Sequence, residues 1–208
     1  MNIKAVIFDY GNVISFPPED HYYDDMAAVA GIDRDTMLRI AFEKRGMYDR
    51  GEVNGREFYR IVLEEIGIFL DDESLGRISS IDREGWSRIN SGTVKLMEDV
   101  KASGLILGIL SNMPHDFLAH ARKNLPVFKL PDVAVFSCEA GVNKPEAAIY
   151  EALLSAAGCR AEELVFFDDL DVNINKAREL GFNAFVWESP EKGREALRSL
   201  GVEPFSKR

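Results

Sequence analysis

Residues 3–11 read IKAVIFDYG, and this stretch decides the fold. From Ile3 to Phe8 the chain is short, rich in β-branched side chains and nearly continuously apolar, and the run stops at Asp9 and Gly11. A strand that is buried on both faces of a parallel sheet has this composition. We therefore predict that this segment is the first strand, at the centre of a parallel sheet.

Four later segments share this apolar character, and each is followed by a polar residue or a glycine. They are Leu105 to Leu110, Val133 to Phe136, Leu164 to Phe167 and Ala184 to Trp187. Helical spacing of apolar residues fills the intervals, in 93–102, 114–123, 145–156, 172–180 and 191–200. Such alternation predicts an α/β fold with a doubly wound, mainly parallel sheet.

The interval 16–90 breaks the alternation. It contains helical patterns in 22–30, 35–45, 55–66 and 72–90, and it has no convincing strand pattern. In an open parallel sheet the ligand lies outside the carboxyl ends of the strands, so an insertion after the first strand is placed to cover that site. We predict a catalytic core of residues 1–15 and 91–208 and a helical cap domain of residues 16–90.

Composition narrows the class of protein. The chain has 208 residues, of which 46% are hydrophobic and 29% charged, as in ordinary globular domains. Its net charge of −10 argues against a nucleic-acid partner. Cys138 and Cys159 are too few for a disulfide framework or a zinc site, so we expect a cytoplasmic protein. The apolar run before Asp9 is too short for a signal peptide or a membrane span, so we expect no membrane role.

Polar side chains follow four of the predicted strands. They are Asp9, the pair Ser111 and Asn112, Lys144, and the pair Asp168 and Asp169. One edge of the sheet would bring them together. A hard cation such as Mg²⁺ prefers carboxylate and carbonyl oxygens, and an aspartate can act as a nucleophile through an aspartyl-phosphate. The set therefore indicates a site where a divalent cation and a phosphate meet, with Lys144 balancing the charge.

Four motifs carry a resemblance to a known family. They are FDYGNV at 8–13, LSN at 110–112, NKPEAAIY at 143–150 and VFFDDLDVN at 165–173. In this order they resemble the haloacid dehalogenase superfamily, in the subfamily that carries a helical cap. The resemblance implies a Rossmann-like core and a Mg²⁺-dependent phosphatase acting on a small phosphorylated substrate. The DxGNV pattern is similar to the branch with α-glucose-1-phosphate phosphatase and the phosphatase-like N-terminal domain of epoxide hydrolases.

The resemblance also implies roles for individual residues. Asp9 would be the nucleophile, with Lys144 as a second catalytic residue. Mg²⁺ would be held by Asp9, the Gly11 carbonyl and Asp169. The transferring phosphoryl group would be bound by Tyr10, Gly11, Ser111, Asn112 and Lys144, with Asp168 and Asn173 around the metal ligands.

Three departures from the family pattern bear on activity. Gly11 stands where the family usually has a second aspartate that acts as general acid and base, and glycine cannot transfer a proton. Sugar 1-phosphates have a good leaving group and depend less on acid assistance, so they are the substrates we expect. Asn173 replaces a common aspartate near the metal. Dehalogenases have an aromatic residue two positions after the nucleophile, whereas Tyr10 comes one position earlier, which argues against cleavage of a carbon–halogen bond. The alternatives are a non-catalytic phosphometabolite-binding or regulatory protein, a phosphomutase and a dehalogenase.

Structural roles compete with functional ones at several positions. Ser111, Asn112 and Asp171 could be helix N-caps. The aromatic residues of the amphipathic segments, Phe42 among them, are expected to pack in the core. In the polar stretch 47–58 the candidate substrate contacts are Tyr48, Arg50 and Glu52, although a plain connection between helices explains this stretch equally well.

Overall fold

The computed structural model describes residues 2–203, which form a parallel sheet between helices. The strands are β1 (Ala5–Phe8), β2 (Ile106–Ser111), β3 (Val133–Phe136), β4 (Leu164–Asp168) and β5 (Asn183–Val186). All pairings are parallel, in the order β3-β2-β1-β4-β5. The predicted fold class, a doubly wound parallel sheet, is confirmed.

Strand β1 lies at the centre because both of its faces are covered. Val6 and Phe8 belong to the apolar cluster on one face of the sheet, while Ala5 and Ile7 belong to the cluster on the other. In the two ladders Phe8 pairs with Ile109 of β2 and with Phe167 of β4. The carboxyl ends of these three strands are therefore aligned, and the residues that follow them share one edge.

A set of helices with a separate apolar cluster follows β1. These are α1 (Asp20–Ala30), α2 (Arg34–Glu43), α3 (Arg45–Asp49), α4 (Gly55–Glu64) and α5 (Asp72–Gly85). The segment that leaves the core and the segment that returns to it run side by side, joined by an antiparallel bridge between Ser15 and Ile89. We infer that residues 16–90 form a cap, since their buried apolar residues pack mainly on one another.

The remaining helices cover the sheet. They are α6 (Ser91–Ala102), α7 (His115–Asn124), α8 (Ser137–Ala140), α9 (Ala147–Ala157), α10 (Asp171–Glu179) and α11 (Pro190–Ser199). Helices α6, α7 and α11 contribute to one apolar cluster, and α9 and α10 contribute to the other. No helix in residues 2–203 is long and apolar enough to cross a membrane.

Two of the predicted cap helices differ most from the helices of the structure. The pattern over 35–45 is divided between α2 and the short α3. The pattern over 72–90 is helical only to Gly85. Asn90 is the N-cap of α6, and its side-chain oxygen accepts hydrogen bonds from the backbone N–H groups of Gly92 and Thr93. A side-chain cap of this kind satisfies N–H groups that have no partner within the helix.

Gly108 of β2 gives a test of the core packing. A Cβ atom on this residue would lie 2.4 Å from Ile7 Cδ1 and 2.9 Å from Val133 Cγ2, in the neighbouring strands. Overpacking of this kind costs about 1–3 kcal/mol, so Gly108→Ala should lower the free energy of unfolding by that amount in urea titrations. The matched variant is Gly76→Ala in α5, where the new Cβ would meet only the flexible end of Arg56 at 2.9 Å. Because alanine favours a helix over glycine by about 1 kcal/mol, that variant should keep or gain stability. Equal stability of Gly108→Ala and the parent protein would contradict this account.

Candidate active site

The aligned ends of β1, β2 and β4 form the floor of a cavity of about 360 Å³. Residues from all four sequence motifs line it, among them Asp9, Ser111, Lys144 and Asp169. A volume of this size suits a small molecule. The structure thus brings together the side chains that the sequence places after separate strands.

Lys144 is the buried centre of this cluster. Its Nζ lies 2.8 Å from Asp9 Oδ1 and 2.6 Å from Asp168 Oδ2. The same ammonium group donates to the Leu110 carbonyl oxygen at 3.1 Å. Burial by itself lowers the pKa of Lys144, but the two carboxylates outweigh burial and raise the pKa above its usual value. The ammonium group is therefore charged and held beside Asp9.

Asn112 holds the backbone of Lys144 in place. Its side-chain amide donates to the Lys144 carbonyl oxygen at 3.0 Å, and its oxygen accepts from the Lys144 N–H at 2.8 Å. Neither Ser111 nor Asn112 caps a helix, because α7 begins after Pro114 with no side-chain cap. The helix-cap alternative for these two residues is therefore wrong. Both line the cavity, as the phosphate-binding role requires.

Asp168 is fully buried and orients Lys144. Its Oδ1 accepts from the Leu170 N–H at 2.9 Å, and the Asn173 amide donates to both carboxylate oxygens, at 3.0 and 3.1 Å. An aspartate at position 173 would put a carboxylate where this donor now lies. The amide therefore supports Asp168 in a way that a second carboxylate could not. Asp171 was a candidate N-cap, but it lies inside the first turn of α10, whose N-cap is Leu170.

The loop after Asp9 is shaped by Asn12. This residue has φ +58°, a left-handed conformation that asparagine tolerates better than most residues, and its amide donates to Asp169 Oδ2 at 2.7 Å. The Tyr10 N–H donates to Asp9 Oδ1 at 2.7 Å. Asn12 was not among the predicted site residues. Its position between Gly11 and an apolar run could have indicated a turn that favours asparagine.

Three carboxylates are close enough to share a cation. One oxygen each from Asp9, Asp168 and Asp169 lie within 4.8 Å of one another. Burial raises the pKa of Asp9, with Lys144 opposing the shift, and burial also raises the pKa of Asp169. A cation would offset the burial of these negative charges. Since the oxygens of Asp168 are already engaged by Lys144 and Asn173, the donor set that fits a metal ion is Asp9 and Asp169, with Gly11 beside them in the cavity wall.

The cap contributes residues that differ from those predicted. Tyr48 is buried in the cap, where its ring stacks on Phe58 at 4.9 Å and its hydroxyl donates to the Asp116 carboxylate at 2.7 Å. Arg50 and Glu52 pair with each other at 2.6 Å. Within residues 2–203, the residues that line the cavity include none of these three.

The described lining instead contains four other residues from the interval 16–90, namely Phe42, Arg45, Asp49 and Trp86. Phe42 was expected in the core, yet its side chain is half exposed at the cavity. Arg45 and Asp49 lie at positions i and i+4 of α3, which is one face of a helix. This spacing in the sequence could have indicated that Arg45 and Asp49 face the same way, but only if the bounds of α3 had been known.

Comparisons with known proteins agree with this geometry. The chain is 30% identical to acyl-CoA dehydrogenase family member 10 of Mus musculus, an alignment that covers 95% of the chain and 19% of that protein. It is 26% identical to flavin mononucleotide hydrolase 1 of Arabidopsis thaliana, over 96% of the chain and 78% of the relative. It is 24% identical to an (S)-2-haloacid dehalogenase of Pseudomonas putida, over 98% of the chain and 91% of the relative. The chain thus spans about a fifth of the mouse protein but most of the other two.

A solved structure has the same fold. It is a HAD family enzyme of Bacteroides thetaiotaomicron in complex with magnesium and inorganic phosphate, with a TM-score of 0.72 and 21% identity over 90% of this chain and 95% of that one. The sequence profile of the haloacid dehalogenase-like hydrolases matches residues 3–181. Because this match extends over most of the chain, the protein belongs to the haloacid dehalogenase-like hydrolase family.

Proposed function

We propose that the protein is a Mg²⁺-dependent phosphatase that acts on a small phosphorylated metabolite through an aspartyl-phosphate at Asp9. The observation that carries the proposal is the placement of Asp9 beside a buried ammonium group and two further carboxylates. Lys144 Nζ is 2.8 Å from Asp9, and Asp168 and Asp169 lie beside it. A nucleophilic carboxylate, a fixed positive charge and ligands for a cation are the groups that phosphoryl transfer requires.

Each residue of the site has a part in this reaction. An Asp9 oxygen attacks phosphorus in line with the leaving oxygen, and water later releases phosphate from Asp9. Lys144 places a positive charge next to the phosphoryl oxygens while Asp168 holds its ammonium group in position. Ser111 and Asn112 line the same cavity and can donate hydrogen bonds to those oxygens.

A magnesium ion fits the remaining donors. Asp9, Asp169 and the Gly11 carbonyl would hold it, and the structural relative in complex with magnesium and phosphate supports magnesium as the cation. When bound, the ion neutralises negative charge on the phosphoryl group. Asn12 keeps Asp169 oriented through its 2.7 Å hydrogen bond.

Sugar 1-phosphates are the substrates we propose first. Arg45 offers a polar group for hydroxyls, and Trp86 gives an apolar wall for a ring face. Gly11 supplies no proton, which favours a substrate with a good leaving group unless another residue protonates the leaving oxygen. The Arabidopsis relative named as a flavin mononucleotide hydrolase supports phosphate monoesters as the wider class.

Phosphate release from a panel of sugar phosphates, nucleotides, flavin mononucleotide and 4-nitrophenyl phosphate tests the proposal. We expect release with Mg²⁺ and none after chelation. Asp169→Asn should require far more Mg²⁺ for half-maximal rate, because it loses one charged ligand. The matched control is Asp171→Asn, an exposed position near the site whose Mg²⁺ requirement should be unchanged.

The other functions give different results in the same assay. Chloride release from 2-chloropropionate without phosphate release would identify a dehalogenase, as the Pseudomonas relative is named. Ligand-induced thermal stabilisation with no product from any compound would identify a binding protein. Either result would contradict the phosphatase proposal.

A further inference from the structure

Position 11 leaves the reaction without a proton donor at the usual place. Gly11 has no side chain, and a Cβ atom there would lie 3.4 Å from the Trp86 ring, in contact with the cap. Departure of an alkoxide is slow unless its oxygen receives a proton. If the cavity contains a proton donor, it must therefore lie elsewhere on its wall.

Among the titratable residues that line the cavity within residues 2–203, one remains as a candidate proton donor. Asp9 and Asp169 are the nucleophile and the proposed metal ligand. The Lys144 ammonium group is held by two carboxylates, and the Arg45 guanidinium does not release its proton. Tyr10 turns its hydroxyl to the Trp86 carbonyl oxygen at 2.7 Å, and burial raises its pKa. Asp49 remains.

Two hydrogen bonds from the core fix the helix that carries Asp49. Ser137 Oγ, at the carboxyl end of β3, donates to the Asp49 carbonyl oxygen at 2.5 Å. The Asn143 amide, next to Lys144, donates to the Gly46 carbonyl oxygen at 2.9 Å. Helix α3 is thus attached to the catalytic core at both ends, so Asp49 has a defined position over the cavity.

The surroundings of Asp49 suit a group that exchanges a proton. Its Oδ1 lies 3.3 Å from Arg45 Nε, and Arg45 also pairs with Asp82 of α5 at 3.0 Å. Burial raises the pKa of Asp49 to about 6. The positive charges of Arg45 and Lys144 lower this pKa, and the negative charge of Asp82 raises it by less than burial does. A general acid works best with a pKa near the operating pH.

We propose that Asp49 of the cap is the general acid and base of this enzyme, in place of the residue missing at position 11. The inference rests on the proposed phosphatase function. As Asp9 attacks, the bond from phosphorus to the leaving oxygen breaks, its electron pair stays on that oxygen, and the Asp49 carboxyl proton transfers to it. The Asp49 carboxylate then takes a proton from the water that attacks phosphorus, the bond to Asp9 breaks, and phosphate leaves.

A pair of substrates that differ in leaving group tests this role. Phenyl phosphate needs a proton on its leaving oxygen, whereas the nitro group of 4-nitrophenyl phosphate stabilises the free phenolate. The quantity to measure is kcat/KM with Mg²⁺, which includes the step that forms the aspartyl-phosphate. For Asp49→Asn we expect a fall of about 10²-fold or more with phenyl phosphate and only a few-fold fall with 4-nitrophenyl phosphate.

Controls separate this role from a structural one. Asp25→Asn makes the same change at an exposed position of α1 and should alter neither value. Asp49→Glu keeps a carboxyl group and should restore much of the phenyl phosphate activity. Equal losses with both esters, or no loss with either, would overturn the general-acid role while leaving the phosphatase proposal intact. No release from either ester by the parent enzyme would instead contradict the phosphatase proposal itself.

A measurement on the parent enzyme covers the case in which Asp49→Asn does not fold. With a general acid in place, kcat/KM should depend only weakly on the leaving group across a series of substituted phenyl phosphates. A steep dependence in the unmodified protein would show that the leaving oxygen departs without a proton, and would overturn the proposal.

Discussion

Replacement of Asp9 by asparagine is expected to lower phosphate release by at least about 10⁴-fold, the scale on which loss of a nucleophile acts in enzymes. The amide nitrogen occupies the place of a carboxylate oxygen but cannot form an aspartyl-phosphate. Stability should change little, because Lys144 keeps its 2.6 Å ion pair with Asp168. The measurement is kcat with saturating Mg²⁺ on the best substrate of the panel, together with thermal unfolding.

The control for Asp9→Asn is Asp171→Asn, which removes an exposed carboxylate of α10 and should keep the parent rate. A covalent phosphoenzyme trapped by acid quench should form in the parent and in Asp171→Asn but not in Asp9→Asn. Turnover by Asp9→Asn at the parent rate would show that another group attacks phosphorus.

Replacement of Lys144 by methionine is expected to give the largest loss of stability. Removing one partner of a buried ion pair costs about 3–5 kcal/mol, because the other charge is left buried without compensation. Here two carboxylates, Asp9 and Asp168, lose the same partner. For a chain of this size each kcal/mol lowers Tm by about 2–4 °C, so a fall of roughly 6–20 °C is expected. Phosphate release should also be lost, since the charge beside Asp9 is gone.

Two variants give this experiment its controls. Lys192→Met removes an exposed lysine whose pairing with Glu195 is also exposed, and should change stability by less than about 0.5 kcal/mol. Lys144→Met combined with Asp168→Asn should recover part of the lost stability, because one of the two orphaned charges is neutralised. A Lys144→Met protein that melts at the parent temperature would contradict the ion-pair account of the site.

The strands and the residues at their ends could be predicted from the sequence because their signals are local. A central parallel strand buries both faces, so β1, β2 and β4 are nearly continuous apolar runs wherever they lie in the chain. Each run stops at a polar residue, and parallel strands place those stops at one edge. Asp9, Ser111 and Asp168 were found in this way.

Helix bounds in the cap were harder to predict, because an amphipathic pattern does not show where a helix stops. The division between α2 and α3 and the start of α6 at Ser91, after its N-cap Asn90, depend on caps and local turns. A shift of a few residues decides which side chains of a short helix face the cavity. The polar stretch 47–58 was interpreted as a loop with Tyr48, Arg50 and Glu52 as contacts, whereas helix α3 begins at Arg45 and places Arg45 and Asp49 at the cavity.

The sequence by itself determined the parallel sheet and the polar residues that follow its strands, because periodicity and chain order encode them directly, and its four motifs carried the resemblance to the family. Only the tertiary structure decided how those residues act on one another: that Lys144 joins Asp9 to Asp168, that Asn173 supports Asp168, and that Asp49 reaches the cavity from the cap. Lys144, Asp9 and Asp168 come from separate segments of the core and Asp49 comes from the interval 16–90, so their distances and burial arise only when these parts of the chain pack together.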